Sequence, residues 1–188
     1  MKKKILSYLM NGLKKPIVMR LKNISLGLIV ISSLSLATCK PRQAATQTDP
    51  NDVTTDVPFK KEGDLSFVDG KSNKVISKLD IEVAQTAEET QQGLMYRRSM
   101  LDTCGMIFIF DDEEEQSFWM KNTYIPLDII YVSAKKEIVS IAAGCRPLSE
   151  ESVPSKGKAK YVVEVNGGYA AKQGLKPGDK IDFTVDKK

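Results

Sequence analysis

The chain has 188 residues, enough for one ordinary domain, and its 41% hydrophobic and 28% charged residues are typical of a globular protein. It contains no histidine, which excludes Ser-His-Asp and Cys-His nucleophile chemistry and every histidine metal site. The net charge of +4 comes from the N terminus, because residues 1–38 hold seven basic residues and no acidic one. The remainder carries 21 − 24 = −3, so the composition does not predict a nucleic-acid partner.

The first 39 residues differ in composition from the rest of the chain. A basic segment is followed by a mostly apolar run over 24–38, which is shorter than a comfortable membrane span of about 20 residues. The run ends in Leu36-Ala-Thr-Cys39, which resembles a lipoprotein cleavage box. We therefore predict a signal peptide over 1–38 and lipidation of Cys39, which makes the membrane a partner and places the protein in the cell envelope, on the periplasmic or surface side. The alternative is an uncleaved anchor helix with an incidental cysteine.

A flexible tether and a single globular domain are predicted after the signal. Residues 39–63 are rich in Thr, Gln, Asp and Pro, which predicts the tether, and residues 64–188 have the apolar density of one core. Thr86 followed by Glu89 is a capping box that begins a short helix, and Gly93 ends it.

Short apolar or alternating runs separated by turn residues dominate this domain. The runs 65–68 and 75–83 are expected to form one hairpin, and the runs 129–132 and 138–141 a second one. Asn166 is expected to begin a second short helix over 167–173, and the five acids of 111–115 to form a solvated loop. The pattern predicts a β-rich α+β domain, a small curled antiparallel sheet or barrel-like fold with two short helices. Its predicted strands are 65–68, 75–83, 106–110, 117–121, 129–132, 138–141, 161–165 and 180–185.

Several blocks are more specific than this general pattern. They include Gly93-Leu-Met95, Phe118-Trp-Met-Lys-Asn-Thr123 and Ile125-Pro-Leu-Asp-Ile-Ile130. Together they resemble the bacterial and archaeal family known as domain of unknown function 192, over about residues 81–183. The resemblance implies a compact β-rich domain that is often exported and sometimes lipid-anchored. It implies no established activity, substrate or catalytic residue.

Trp119 is the only tryptophan, and it precedes two polar side chains, Lys121 and Asn122. On the predicted strand over 117–121, Trp119 and Lys121 share one face. A half-exposed indole beside a lysine and an amide could stack on a sugar ring or hold a carboxylate. Alternatively, Trp119 closes one end of the barrel and Lys121 forms a structural ion pair.

Asp128 and Glu164 are carboxylates inside apolar runs, so each must be paired, hydrogen-bonded or protonated if it points inward. Together they could form an acid–base dyad. They could instead anchor Lys121, Arg97 or backbone amides, or bind a ligand. Arg97 carries a guanidinium suited to anionic ligands, or is simply solvated on a surface turn.

Cys104 and Cys145 remain as an even pair once Cys39 is lipidated, and the envelope is oxidising. If the strands beside them are antiparallel neighbours, a disulfide joins them; without a Cys-x-x-Cys motif, a redox role is not expected. The acidic run lacks the spacing of a Ca²⁺ loop, so we predict neither a metal nor a cofactor.

Three functions stay open on the sequence. The first is a membrane-tethered ligand-binding or accessory module, with an envelope glycan or a protein as partner. Its candidate surface consists of Arg97, Trp119, Lys121, Asn122 and Asp128. The second is a carboxylate-based enzyme acting on an envelope saccharide or peptide. The third is a protein-interaction module.

Overall fold

The computed structural model describes residues 57–187. The predicted signal peptide, the lipidation site Cys39 and most of the tether lie outside the described residues. Among residues 57–187, no helix is long and apolar enough to cross a membrane, and no cluster of metal-ligating side chains occurs.

The described chain forms one seven-stranded sheet that curls into a half-barrel, with two short helices. This confirms the predicted fold class. The strand order across the sheet is β5-β4-β6-β3-β2-β1-β7. The elements in chain order are β1 (Gly63–Val68), β2 (Val75–Ala84), α1 (Ala87–Gln92), β3 (Cys104–Phe118), β4 (Leu127–Val132), β5 (Ile138–Cys145), β6 (Val153–Asn166), α2 (Tyr169–Gln173) and β7 (Lys180–Val185).

The sheet buries apolar side chains on both faces, which accounts for the nearly continuous apolar runs of its central strands. One cluster, here called the first core, includes Ile107, Ile130 and Val163, together with Tyr169 of α2. The second core includes Phe108, Ile129, Tyr131 and Val162 and is covered by Leu94 and Met120 from the loops. Successive residues of a strand therefore enter different cores, and a shift of one residue in register changes a side chain's surroundings completely.

Local signals predicted several elements correctly. The hairpins β1–β2 and β4–β5 are antiparallel, and β7 spans the predicted residues. Thr86 accepts from the backbone N–H of Glu89, whose side chain binds back to the Thr86 N–H, so the capping box of α1 is confirmed. The prediction of a purely antiparallel sheet is wrong at one place, because β2 and β3 are parallel. The long connection through α1 makes this crossover feasible.

The acidic run 111–115 is part of a strand, contrary to the predicted loop. β3 continues from Cys104 to Phe118 and pairs with the 14-residue β6. The register shifts between Ile109 and Glu114, a stretch that includes the first three acids, and again between Glu115 and Ser117. The acidic side chains are exposed, and the strand is held by backbone hydrogen bonds. The hydrophobicity pattern therefore did not reveal this part of β3. The predicted strand over 117–121 is also wrong, because β3 ends at Phe118.

The fold begins before the predicted domain boundary at residue 64. The backbone N–H of Glu62 donates to Ile81 and its carbonyl accepts from Asp186, so it extends both neighbouring ladders. The Lys60 N–H donates to the Glu82 carboxylate at 2.9 Å. The last residues of the predicted tether therefore extend β1, between β2 and β7.

The predicted disulfide between Cys104 and Cys145 is not formed, and both are free thiols. Its premise was that their strands are neighbours. In the structure β4 and β6 lie between β5, which carries Cys145, and β3, which carries Cys104. Burial raises the pKa of both thiols, which makes them poor nucleophiles.

Candidate functional site

A cavity of about 430 Å³ opens beside the second core, between α1 and the end of β3. Its volume lies in the range of ligand pockets, about 300–1,000 Å³. Glu164 and Glu150 are its carboxylates. The other polar lining groups are hydroxyls and amides, and the apolar lining is largely aromatic: Thr90, Gln91, Gln92, Gln116, Ser117, Thr123 and Ser152 with Phe108, Phe110, Phe118 and Trp119.

Glu164 is the unusual group of this cavity. It lies on β6 opposite Ile129, with its side chain on the second-core side, and is only 4% exposed. Among the hydrogen bonds and ion pairs of residues 57–187, none involves its carboxyl group. Burial in these apolar surroundings raises its pKa to about 8, since the charged form loses its hydration without a compensating partner. Glu164 is therefore a neutral carboxylic acid at pH 7, able to donate and to accept a hydrogen bond.

Trp119 forms a wall of the cavity because the chain turns where β3 ends. Phe118 packs edge-on against Phe108, with ring centroids 4.9 Å apart, and Met120 is 1% exposed. Trp119 lies between these two anchors and is 46% exposed, so it is not a buried barrel plug. The Lys121 ammonium lies 5.2 Å from the centre of the indole ring and 3.6 Å from Glu150.

A second cavity of about 330 Å³ adjoins the first. Trp119, Lys121 and Asn122 all line it, so the structure brings these three predicted site residues together. The Asn122 amide donates to the Tyr96 hydroxyl at 2.9 Å, and the Tyr96 backbone N–H donates to the Asn122 carbonyl at 2.7 Å. Two loops that are distant in sequence are thereby joined at the rim.

Asp128 does not belong to this site. It pairs with Val165 in the ladder, one residue away from the Ile129–Glu164 pair, so Asp128 and Glu164 project from opposite faces of the sheet. The predicted acid–base dyad of these two carboxylates is therefore wrong.

The Asp128 carboxylate anchors backbone amides, which was one of the predicted alternatives. It accepts from Gly144 at 2.7 Å, Gly168 at 3.0 Å and Ala170 at 2.8 Å. The last two amides lie at the start of α2, so Asp128 serves as its cap. The prediction that Asn166 caps this helix is wrong, because Asn166 ends β6 and binds the Met100 carbonyl instead.

Arg97 is likewise absent from the cavity, and it is not solvated as one reading expected. It is 2% exposed, and its Nη2 lies 2.8 Å from Oε2 and 3.0 Å from Oε1 of Glu82. The Phe59 ring lies 5.9 Å from the guanidinium carbon. Arg97 lies in the loop after α1 and therefore connects this loop to the end of β2 and to the N-terminal segment.

The comparisons with known proteins identify the family. The model of domain of unknown function 192, described as "Uncharacterized ACR" and abbreviated DUF192, matches residues 68–183, which is more than half of the chain. The chain belongs to the DUF192 family. No curated protein matches it.

Two solved structures are similar to the chain. One is a protein of unknown function from Novosphingobium aromaticivorans DSM 12444, 39% identical, covering 63% of this chain and 83% of that chain with a TM-score of 0.59. The other is a proposed transcription regulator from Sinorhizobium meliloti 1021, 32% identical, covering 69% of this chain and 98% of that chain with a TM-score of 0.63.

Sequence reasoning missed much of the cavity lining in this DUF192 domain. Gln91 and Gln92 follow the capping box, but a pair of glutamines at the end of a helix carries no signal of its own. Gln116 directly follows the acidic run, which was predicted to be a solvated loop, so it was not expected to line a cavity. Its side-chain nitrogen is buried without a hydrogen-bond partner in the described part of the chain. The one signal for Gln116 in the sequence was its position between the acidic run and the aromatic pair Phe118-Trp119.

The Arg97–Glu82 pair supplies a prediction about stability. We expect Arg97→Met to lower the free energy of unfolding by about 3–5 kcal/mol, because it leaves Glu82 buried without a counter-charge. The double variant Glu82→Gln/Arg97→Met should recover most of this loss, since Gln still accepts from Lys60. Urea unfolding measures both, with the exposed Arg146→Met as control. If Arg97→Met were as stable as Arg146→Met, this would contradict the structural role of the Arg97–Glu82 pair.

Proposed function

We propose that this DUF192 domain is a ligand-binding module of the cell envelope, tethered to the membrane through Cys39, and that its cavity binds a neutral saccharide. The observation that carries the proposal is Glu164, a buried carboxylic acid with no partner among the described residues, which lines an aromatic cavity. Burying such a group costs free energy, and a ligand that hydrogen-bonds it would offset that cost.

The rest of the lining supports a saccharide. Hydroxyl and amide groups match the alternating donors and acceptors of sugar hydroxyls, and aromatic faces such as that of Trp119 suit the apolar faces of sugar rings. Lys121 and Glu150 lie close together and largely compensate each other's charge. A strongly charged ligand is therefore not favoured.

The membrane tether rests on the N-terminal sequence alone. Its basic segment, apolar run and Cys39 support export and lipidation. We expect labelled palmitate to be incorporated into the chain in bacterial cells and to be absent from Cys39→Ala. Normal processing of that variant, or an unlabelled wild-type chain, would contradict the lipoprotein proposal.

Hydrolysis of a glycosidic bond is the second candidate function. The pKa of about 8 keeps Glu164 protonated at neutral pH, as a general acid requires, and Glu150 is a second carboxylate on the same cavity. In this reaction Glu164 would protonate the leaving oxygen, the glycosidic bond would break, and Glu150 would take a proton from the attacking water. Glu150 takes the place of Asp128 in the earlier dyad hypothesis.

A binding experiment on the full chain tests the proposal. Saccharides, with N-acetylglucosamine, glucose and peptidoglycan fragments as probes, are titrated while Trp119 fluorescence and melting temperature are followed. We expect a neutral saccharide to shift both signals, and Glu164→Leu to weaken binding by about tenfold or more because one buried hydrogen bond is lost. Glu137→Gln, an exposed carboxylate outside the cavity, is the control.

The variant Glu164→Gln separates the two candidates. Glutamine keeps a donor and an acceptor, so it should retain binding, but it has no proton to transfer and should abolish any hydrolysis. Product release that survives in Glu164→Gln would exclude Glu164 as the general acid, and a wild-type chain that binds a saccharide without releasing product would exclude hydrolysis. Absence of any response to every saccharide would contradict the proposed function and direct the search to a protein partner.

A further inference from the structure

The two cavities are parts of one longer cleft. They share four lining residues, namely Gln91, Gln92, Met95 and Trp119. Buried Glu164 lines the first cavity alone, the Tyr96–Asn122 pair lines the second alone, and Trp119 lines both. A ligand that fills only the first cavity would leave the part of Trp119 that lines the second cavity unused.

The far wall of the second cavity is held in a strained conformation. Tyr96 has φ 63° and Asn122 has φ 55°, in the left-handed region. A bulky aromatic residue is a rare occupant of that region, and it persists only where the surroundings fix it. The two hydrogen bonds between Tyr96 and Asn122 provide that fixation and hold the phenol ring at the rim. Strain of this kind concentrates at binding sites.

The second cavity has the same chemistry as the first. Its lining combines amides, a phenol and an indole with one cation, Lys121, and one carboxylate, Glu88. Lys121 is also the ion-pair partner of Glu150 in the first cavity, and its ammonium is directed over the Trp119 ring. This lining, like that of the first cavity, matches an uncharged sugar unit.

We infer that the two cavities bind consecutive units of one neutral oligosaccharide, with Trp119 against the linkage between them. The inference rests on the proposed function and deepens it, because it makes the ligand a glycan chain rather than a free monosaccharide. Once the first unit is bound, the second binds intramolecularly, so its contacts add to the affinity at little further entropic cost.

Calorimetric titration of the full chain with N-acetylglucosamine and its β-1,4-linked di-, tri- and tetrasaccharides tests the inference. We expect the disaccharide to bind about tenfold tighter than the monosaccharide or more, with little gain from additional units. Tyr96→Asn should remove the gain of the second unit, since asparagine tolerates positive φ but lacks the phenol ring. Asn122→Gly, which also tolerates this backbone, provides a second variant, and exposed Leu101→Asn outside both cavities is the control.

The outcomes separate this inference from the proposed function. Equal affinities for the mono- and disaccharide would overturn the two-unit cleft but leave saccharide binding intact. A length-dependent gain that persists in both Tyr96→Asn and Asn122→Gly would also overturn it, because the second unit would then bind elsewhere. Failure of every saccharide to bind would overturn both proposals.

Discussion

The domain is expected to lose stability as the pH rises from about 4.5 to about 8, and Glu164 is the cause. In the unfolded chain this acid ionises at its ordinary value of 4.5, whereas in the folded domain it holds its proton up to a pKa of about 8. The folded state therefore binds one proton more over this interval, and its free energy of unfolding falls by about 1.4 kcal/mol per pH unit. The contribution is constant below the lower pKa and above the higher one.

Glu164→Gln should remove this slope. Over the whole interval the expected difference between the variant and the wild-type chain grows by about 5 kcal/mol, which makes the variant markedly more stable at pH 8. Urea unfolding at pH 5, 6.5 and 8 measures it, with Glu137→Gln as the matched carboxylate control. Parallel pH profiles for the wild-type chain and Glu164→Gln would show that Glu164 ionises normally.

Asp128→Asn is expected to destabilise the domain by about 3 kcal/mol. The carboxylate accepts three backbone N–H bonds, and asparagine offers one oxygen and an NH₂ group that would oppose the amide of Gly168 or Ala170. The loss should be seen in urea unfolding and in local opening of α2, measured by amide hydrogen exchange.

Asp182→Asn is the control for this prediction, because its side chain is 77% exposed and its pair with Lys136 lies at the surface. It should change the stability by less than about 0.5 kcal/mol. An Asp128→Asn chain with normal stability that no longer bound saccharide would contradict the structural role and return Asp128 to the functional site.

The contrast between Asp128 and Glu164 shows what the sequence could not reveal. Both are carboxylates within apolar runs, and both strands are buried on both faces, so no alternation marks the direction of either side chain. Their separation follows from the register in which Asp128 faces Val165. That register is fixed by contacts across strands, which local patterns do not contain.

Sequence signals that act within a few residues were sufficient to predict α1. Thr86 and Glu89 satisfy each other's backbone within one turn, so the capping box predicted α1 correctly. The extension of β3 through 111–115 depends on pairing with β6, and the burial of Arg97 depends on its ion pair with Glu82 of β2. Each of these failures involved a partner distant in the chain.

Trp119 shows an intermediate case. Its strand was predicted wrongly, yet it lines the second cavity with Lys121 and Asn122 because the turn after β3 keeps these neighbours together. Glu164 joins Trp119 only through the fold, across the first cavity. The sequence therefore predicted one contiguous block of the candidate site, and topology supplied its acid.

One NMR titration tests the central claim, that Glu164 and Trp119 form a single ligand site. The Glu164 side-chain carboxyl resonance, assigned by its absence from Glu164→Gln, and the Trp119 indole N–H are followed together as the disaccharide of N-acetylglucosamine is added. We predict that both resonances shift along one saturation curve and that the free Glu164 carboxyl titrates near pH 8. A Trp119 shift with an unchanged Glu164 resonance, or no shift of either at millimolar disaccharide, would contradict the account.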